Sequence, residues 1–163
     1  MKLIVKQYEE KYLDETVKIW NDVVIEGHAF PQLDLLDQAS RNIFFTSQTH
    51  TGLVIDEMTD EVKGLYILHP NNIGRCGHIA NASYAVSKNY RGMHIGELLM
   101  NDCLKEARAH HFKILQFNAV VKSNIAANKL YEKIGFTVLG TIPGGFYNKE
   151  GNYEDIVLYY ITL

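Results

Sequence analysis

At 163 residues, with 47% hydrophobic and 21% charged residues, the chain fits one folded domain with a substantial core. A net charge of −3 with histidine neutral offers no basic field for nucleic acid or an anionic membrane, and no apolar run is long enough to span a bilayer. The opening "MKLIVKQYEEKY" turns charged too soon for a signal peptide. The two cysteines, Cys76 and Cys103, have no metal-ligand spacing and read as reduced thiols of a cytoplasmic protein, with a disulfide between them as the alternative. The histidines are scattered, and no metal site emerges.

The segment "LIVKQY" (3–8) reads as a strand. Asp14 is the expected N-cap of a helix that places Val17, Trp20 and Val24 on one buried face, and Gly27 and Pro31 in "EGHAFPQ" end it. A second helix is expected to turn Leu36, Ala39 and Ile43 inward. Strands 51–57 and 61–69, joined by the short polar "MTD", form a hairpin, and "GHIANASYAVS" (77–87) is a further strand rich in small residues. A helix expected to start near Gly92 carries Ile95, Leu98, Leu99, Cys103, Leu104 and Ala107 at helical spacing, with "HH" (110–111) at its C-terminal end, where positive charge is favoured. Strand 113–120, helix 124–134, strand 137–142, a loop over 143–154 and strand 155–163 complete the chain. There is no repeat, low-complexity tract or linker. Residues 1–163 therefore form a single α/β (α+β) domain, a mixed, mostly antiparallel sheet of about seven strands with about four helices on its faces.

The stretch "NYRGMHIGELL" (89–99) carries the first chemical signal. The first turn of a helix has free backbone N–H groups and a positive partial charge, and glycines there let a bulky anion approach the main chain. That combination holds a phosphate or diphosphate without a cation at every contact. No Gly-Lys-Ser/Thr follows, so the stretch is not a P-loop, and the glycine spacing is wrong for a dinucleotide fingerprint. Taken alone, Gly92 and Gly96 are better explained by turn geometry and helix–sheet packing, because short glycine motifs recur by chance.

The second signal is "NIAANKLYEKIGF" (124–136), a helix with Ala127, Leu130, Tyr131 and Ile134 on one face and Gly135 as its C-cap. Asn124 and Tyr131 fall on the same side, roughly 10 Å apart along the axis, within reach of one extended ligand arm. Singly, Asn124 is an N-cap and Tyr131 a core tyrosine with its hydroxyl at the rim.

In this order the segments resemble the GNAT superfamily of acyl-CoA-dependent N-acyltransferases over essentially the whole chain. The specific parts are "VSKNYRGMHIG" (86–96), similar to Arg/Gln-x-x-Gly-x-Gly/Ala, and Asn-x-x-Ala-x-x-Leu-Tyr-x-x-x-Gly-Phe (124–136). The resemblance implies acetyl-CoA as co-substrate and no metal. It implies a diphosphate on the backbone N–H groups of Gly92, Met93, His94, Ile95 and Gly96, flanked by Arg91 and Glu97. It also implies a pantetheine arm along Tyr84, Ala85 and Val86, with Asn124 on the arm and Tyr131 near the sulfur. His94 stands where the family pattern has its first motif glycine; a helical backbone is expected to tolerate it, and a neighbouring diphosphate would favour its protonated form.

Acyl transfer from a thioester to an amine needs a free amine, a polarised carbonyl and a protonated leaving thiolate. Tyr131 is the candidate general acid, and a backbone N–H at Tyr84 or Val86 the candidate oxyanion donor. "GHIANASYAVS" has no carboxylate, which leaves Glu26, His28, His78, Asp155 or a water chain as proton acceptor. Residues 115–160 resemble the yeast-type acetyltransferases for azetidine-2-carboxylate and other proline analogues through "FNAVV", "GTIPGGF" and the aspartate before the last strand. That likeness implies Asn118 as an acceptor contact, the alternative being that it satisfies backbone groups where strands diverge. Phe30, Phe146 and Tyr147 either wall the acceptor pocket or cap the core. The expected partner is thus a small-molecule amine, with no nucleic acid or membrane, and a homodimer through the last strands is implied by the resemblance. Acetylation of a protein or peptide amine, or a CoA-binding module without turnover, are the competing functions.

Overall fold

A computed structural model describes residues 1–163. Seven strands form one sheet in the order β1-β2-β3-β4-β5-β7-β6. These are β1 (Leu3–Gln7), β2 (His50–Asp56), β3 (Glu61–Pro70), β4 (Ile79–Val86), β5 (Ile114–Val121), β6 (Thr137–Tyr147) and β7 (Tyr153–Thr162). Every neighbouring pair is antiparallel except β4 and β5, which are parallel. The helices are α1 (Leu13–Glu26), α2 (Arg41–Thr46), α3 (Ile95–Ala109) and α4 (Ile125–Ile134). No helix is long and apolar enough to cross a membrane.

The expected mixed, mostly antiparallel sheet is therefore present, with helices on both faces. Alternation along β3 divides the core. Tyr66 and Leu68 join Leu99, Met100, Leu104, Leu115 and Phe117 on the α3 side, while Leu65 and Ile67 join Trp20, Phe45, Leu53 and Ile55 on the α1 side. β3 is buried on both faces, which is why it reads as a near-continuous apolar run.

Several expected boundaries move. α3 starts at Ile95 rather than near Gly92, because Gly92 and His94 both have positive φ and break the helical path before it. α1 begins after a 3-10 turn at Glu10–Tyr12, so Asp14 sits in its first turn rather than at the cap. The second helix is shorter than its pattern suggested. Asn21 bonds both backbone groups of Leu36, and Asp37 Oδ1 accepts from the N–H groups of Ala39 and Ser40, holding 36–40 in a turn. α2 consequently buries Phe45 and leaves Ile43 exposed. The expected loop over 143–154 is largely strand: β6 bulges between Ile142 and Phe146 and continues to Tyr147.

Candidate active site

β4 and β5 pair only at Ile79–Ile114 and Ala80–Leu115, then separate. The bond from Ser87 N–H to the Lys63 carbonyl, 2.9 Å, sets the phase of the β3–β4 ladder. Alternation then directs the main-chain groups of Ala85 and Ser83 to β3, and those of Tyr84 and Val86 into the gap left by β5. An extended ligand with amide groups could complete that edge.

The gap opens into a cavity of about 700 Å³. Its lining brings together Tyr84, Ala85, Val86, Arg91, Gly92, His94, Ile95, Gly96, Glu97, Asn124 and Tyr131. Met93 does not line it, and its side chain is exposed. Val23, Glu26, His28, Ala29, Tyr90 and Ser123 also contribute.

At one end of the cavity, Leu98 N–H is the first in α3 with an intrahelical partner, the His94 carbonyl at 3.2 Å. The N–H groups of Ile95, Gly96 and Glu97 therefore lie in the unpaired first turn, whose geometry and dipole suit an anion. His94, the residue before it, is left-handed at φ 59°, ψ 16°. The expectation of a helical backbone at His94 is thus corrected: the side chain occupies a conformation that costs any residue but glycine, and the pattern glycine it replaces would adopt it freely. Gly92, at φ 79°, makes the same kind of turn two residues earlier.

Charges around this end are largely paired. Arg91 Nη2 donates to both Glu26 carboxylate oxygens at 2.9 Å. Lys133 Nζ donates to Glu97 at 2.8 Å and holds that carboxyl below its usual range. Gly96 faces Leu130 across the α3–α4 contact, where an added Cβ would lie 3.5 Å from Leu130 Cδ2.

α4 forms the opposite wall. Asn124 caps it, its Oδ1 accepting from Ala127 N–H at 3.2 Å, and Gly135 closes it in the left-handed conformation. Tyr131 is buried among Phe117, Phe136 and Tyr159, with ring centroids at 4.6, 5.6 and 5.4 Å. Burial, with a smaller push from Tyr159 and Cys103, raises its pKa, so the phenol keeps its proton at neutral pH. The Tyr84 ring lies on the α3 side with its hydroxyl 3.3 Å from Met100 Sδ, and burial raises its pKa too. Cys103 beneath it is buried and pushed up to about 12, an inert thiol; Cys76 is exposed, and both cysteines are free.

The remaining candidates lie elsewhere. Phe30 packs on Trp20 at 4.4 Å between centroids, Phe146 packs with Val121 and Ile156, and neither lines the cavity. Asn118 sits at the β5 bulge, outside the cavity, with Nδ2 donating to Asn71 Oδ1 at 2.6 Å and Oδ1 accepting from Gln116 Nε2 at 3.1 Å. Its side-chain partners are thus side chains rather than backbone groups. Of the four candidate bases only Glu26 and His28 reach the cavity, and Asp155 instead accepts from Gly144 N–H at 3.0 Å.

A seven-stranded sheet parted at its only parallel pair, with an open helix start beside the gap, defines an acyl-CoA transferase type of fold and site. The family model for the acetyltransferase (GNAT) family matches residues 7–136, and the chain belongs to that family. N-acetyltransferase aca1 of Schizosaccharomyces pombe is 38% identical over 98 residues, 59% of this chain and 46% of the relative, so the chain covers less than half of that protein's length. A GCN5-related N-acetyltransferase from Kribbella flavida superposes with a TM-score of 0.90 at 28% identity, over 99% of this chain and 98% of its own. A phosphinothricin acetyltransferase from Sinorhizobium meliloti, solved in complex with AcCoA, shares the fold with a TM-score of 0.90 at 18% identity, over 100% of this chain and 89% of its own.

Proposed function

We propose that this chain is an acetyl-CoA-dependent N-acetyltransferase that acylates the amine of a small molecule, an amino acid or proline analogue being the acceptor class. One observation carries the reading: the unpaired edge of β4, the open first turn of α3 and the capped start of α4 converge on one cavity. The residues present fit the co-substrate. The first-turn N–H groups of α3 suit a diphosphate, the Tyr84 and Val86 main chain suits the amides of the arm, and Asn124 and Tyr131 flank the far end. Family membership and the acetyl-CoA complex of the Sinorhizobium relative support the same assignment.

Within that reading, the N–H of Tyr84 or Val86 stabilises charge developing on the acyl oxygen. The Tyr131 phenol, kept protonated by burial, gives its proton to the departing sulfur. Tyr131 lines the cavity, where the sulfur would lie. Glu26 is tied to Arg91, which leaves His28, its Nε2 3.1 Å from Glu150 Oε1, as the cavity-facing group placed to take a proton from the amine. Asn118, held between Asn71 and Gln116 on the α1 face, is the candidate acceptor contact. Such an enzyme, with buried free Cys103, suits the reducing cytoplasm. The edge strand β6 exposes Val138, Leu139 and Ile142, which supports a homodimer through the last strands.

A second reading, a CoA-binding module without turnover, is favoured by the pairing of both cavity carboxylates, Glu26 and Glu97. Calorimetric titration with acetyl-CoA and CoA, followed by thiol-release assays over a panel of small amines and peptides, separates the two. Thiol release with a small amine supports the enzyme. Tight CoA binding without release from any amine leaves the module, and release with peptides alone replaces the small-molecule acceptor.

A further inference from the structure

At the far end of α3 from the open helix start, a second and polar cavity of about 320 Å³ lies between α3, β1 and β2. It is lined by His50, Asp102, Lys105, Glu106 and His110, with Val5, Lys6 and Gln7 of β1. Asp102 and Glu106 lie one turn apart on one face of α3, His110 follows as the residue that ends the helix, and His50 opposes them from the first residue of β2. One donor atom from each of His50, Asp102 and Glu106 lies within 4.8 Å of the others.

His50 points to a ligand. It is only 8% exposed, yet its ring makes no hydrogen bond: Nδ1 stands 3.6 Å from Glu106 Oε2, beyond bonding range. No buried polar atom of the chain lacks a partner, so the unbonded ring nitrogens of His50 face the cavity, where a cation can take a lone pair. The surrounding groups are oriented as ligands are. Tyr66 donates its hydroxyl to Asp102 Oδ2 at 2.7 Å, which leaves Oδ1 free. His110 Nδ1 lies 2.8 Å from the Glu106 main-chain oxygen; donation there fixes the tautomer and leaves Nε2 with its lone pair. Outer hydrogen bonds of this kind hold metal ligands in place. The ring of His110 lies 5.9 Å from that of His50, across the same cavity. Lys105 Nζ stands 3.6 Å from Glu106 Oε1, which leaves Oε2 on the side of His50.

We propose that His50, Asp102 and Glu106 bind a divalent transition-metal ion of the zinc class, which clamps α3 to β2, with His110 beside the three. An imidazole and two carboxylates are a nitrogen–oxygen set suited to Zn²⁺ or Co²⁺ rather than Ca²⁺ or Mg²⁺. Asp102 lies seven residues beyond Ile95, about 10 Å further along the helix axis, so the ion is structural and takes no part in acyl transfer.

The test uses the tag-free full chain, stripped with a chelator and exchanged into chelator-free buffer, titrated with Co²⁺ and then Zn²⁺. The expected result is a visible d–d absorption band that saturates at one equivalent and is displaced by Zn²⁺, together with a rise in melting temperature. His50→Gln and Glu106→Gln each weaken binding by about tenfold or more. Asp102→Asn does the same and, being only half-buried, preserves the fold if the buried substitution does not. His78→Gln leaves the titration unchanged. Absence of a band at millimolar Co²⁺ overturns the proposal, as does a band that survives both His50→Gln and Asp102→Asn.

Discussion

Replacing His94 with glycine tests whether the turn before α3 works through its backbone. His94 holds φ 59° immediately before the helix, and its side chain is 85% exposed, with only a 3.8 Å approach to Glu97. The left-handed conformation costs a non-glycine residue about 1–2 kcal/mol. Glycine's extra freedom in the unfolded chain takes back about 0.5–1 kcal/mol. The exposed pair with Glu97 adds little. His94→Gly is therefore expected to stabilise the protein by about 0.5–1 kcal/mol, which raises the melting temperature by about 2–3 °C for a chain of this size. His94→Ala keeps the strain and is expected to change stability little. Acetyl-CoA affinity measured by calorimetry should stay within about threefold for His94→Gly, under 1 kcal/mol, because the main-chain donors are retained. A lower melting temperature for the glycine variant would refute the strain argument. A loss of affinity of about tenfold or more, equivalent to about 1.4 kcal/mol, would move the anion contact from the backbone to the imidazole.

Gly64→Ala places a Cβ 2.9 Å from Ile95 Cγ2 and 3.0 Å from the Ala85 carbonyl, so it is expected to cost about 1–3 kcal/mol in chemical denaturation and to weaken acetyl-CoA binding by shifting the start of α3. Tyr131→Phe is expected to lower kcat by about a hundredfold with acetyl-CoA affinity nearly unchanged, and unaltered turnover would remove Tyr131 as the acid. Asn118→Ala is expected to raise the KM of the amine and leave CoA binding intact, and the opposite pattern would end its acceptor role. Asp60 is held below its usual range by the Tyr12 hydroxyl at 2.7 Å and then by Lys11 at 3.0 Å. Its contribution is present above the unfolded carboxylate pKa of about 3.9 and lost as pH falls through the lower folded value, so Asp60→Asn should flatten the acid limb of the stability–pH curve. An unchanged acid limb would show that this carboxylate does not contribute there.

Local pattern carries the elements far, and fails where a distant partner intervenes. The apolar spacing of α3 and α4, the Asn124 cap and the Gly135 stop all depend on neighbours within a few residues, and each is present. Ile43 appeared inward-facing because Leu36, Ala39 and Ile43 keep helical spacing, yet Asn21, on another helix, holds Leu36 and the helix starts late. Phe30 and Phe146 are aromatic residues in polar loops by sequence, but Trp20 and Ile156 take them into the core. No metal-ligand spacing shows in the sequence because His50, which faces Asp102 and Glu106 of α3, is contributed by a strand far away in the chain.

The order of residues alone determined that this chain would build a mixed sheet, and that two helices would follow the glycine turn before Ile95 and the cap at Asn124, because helix periodicity, caps and glycine stops act over short range. Only the folded chain decided that β4 and β5 part after Ala80, that those two helix starts face one cavity, and that His94 is left-handed. Those features follow from packing between segments far apart in sequence, where the burial of one strand's side chains fixes the main-chain direction of another.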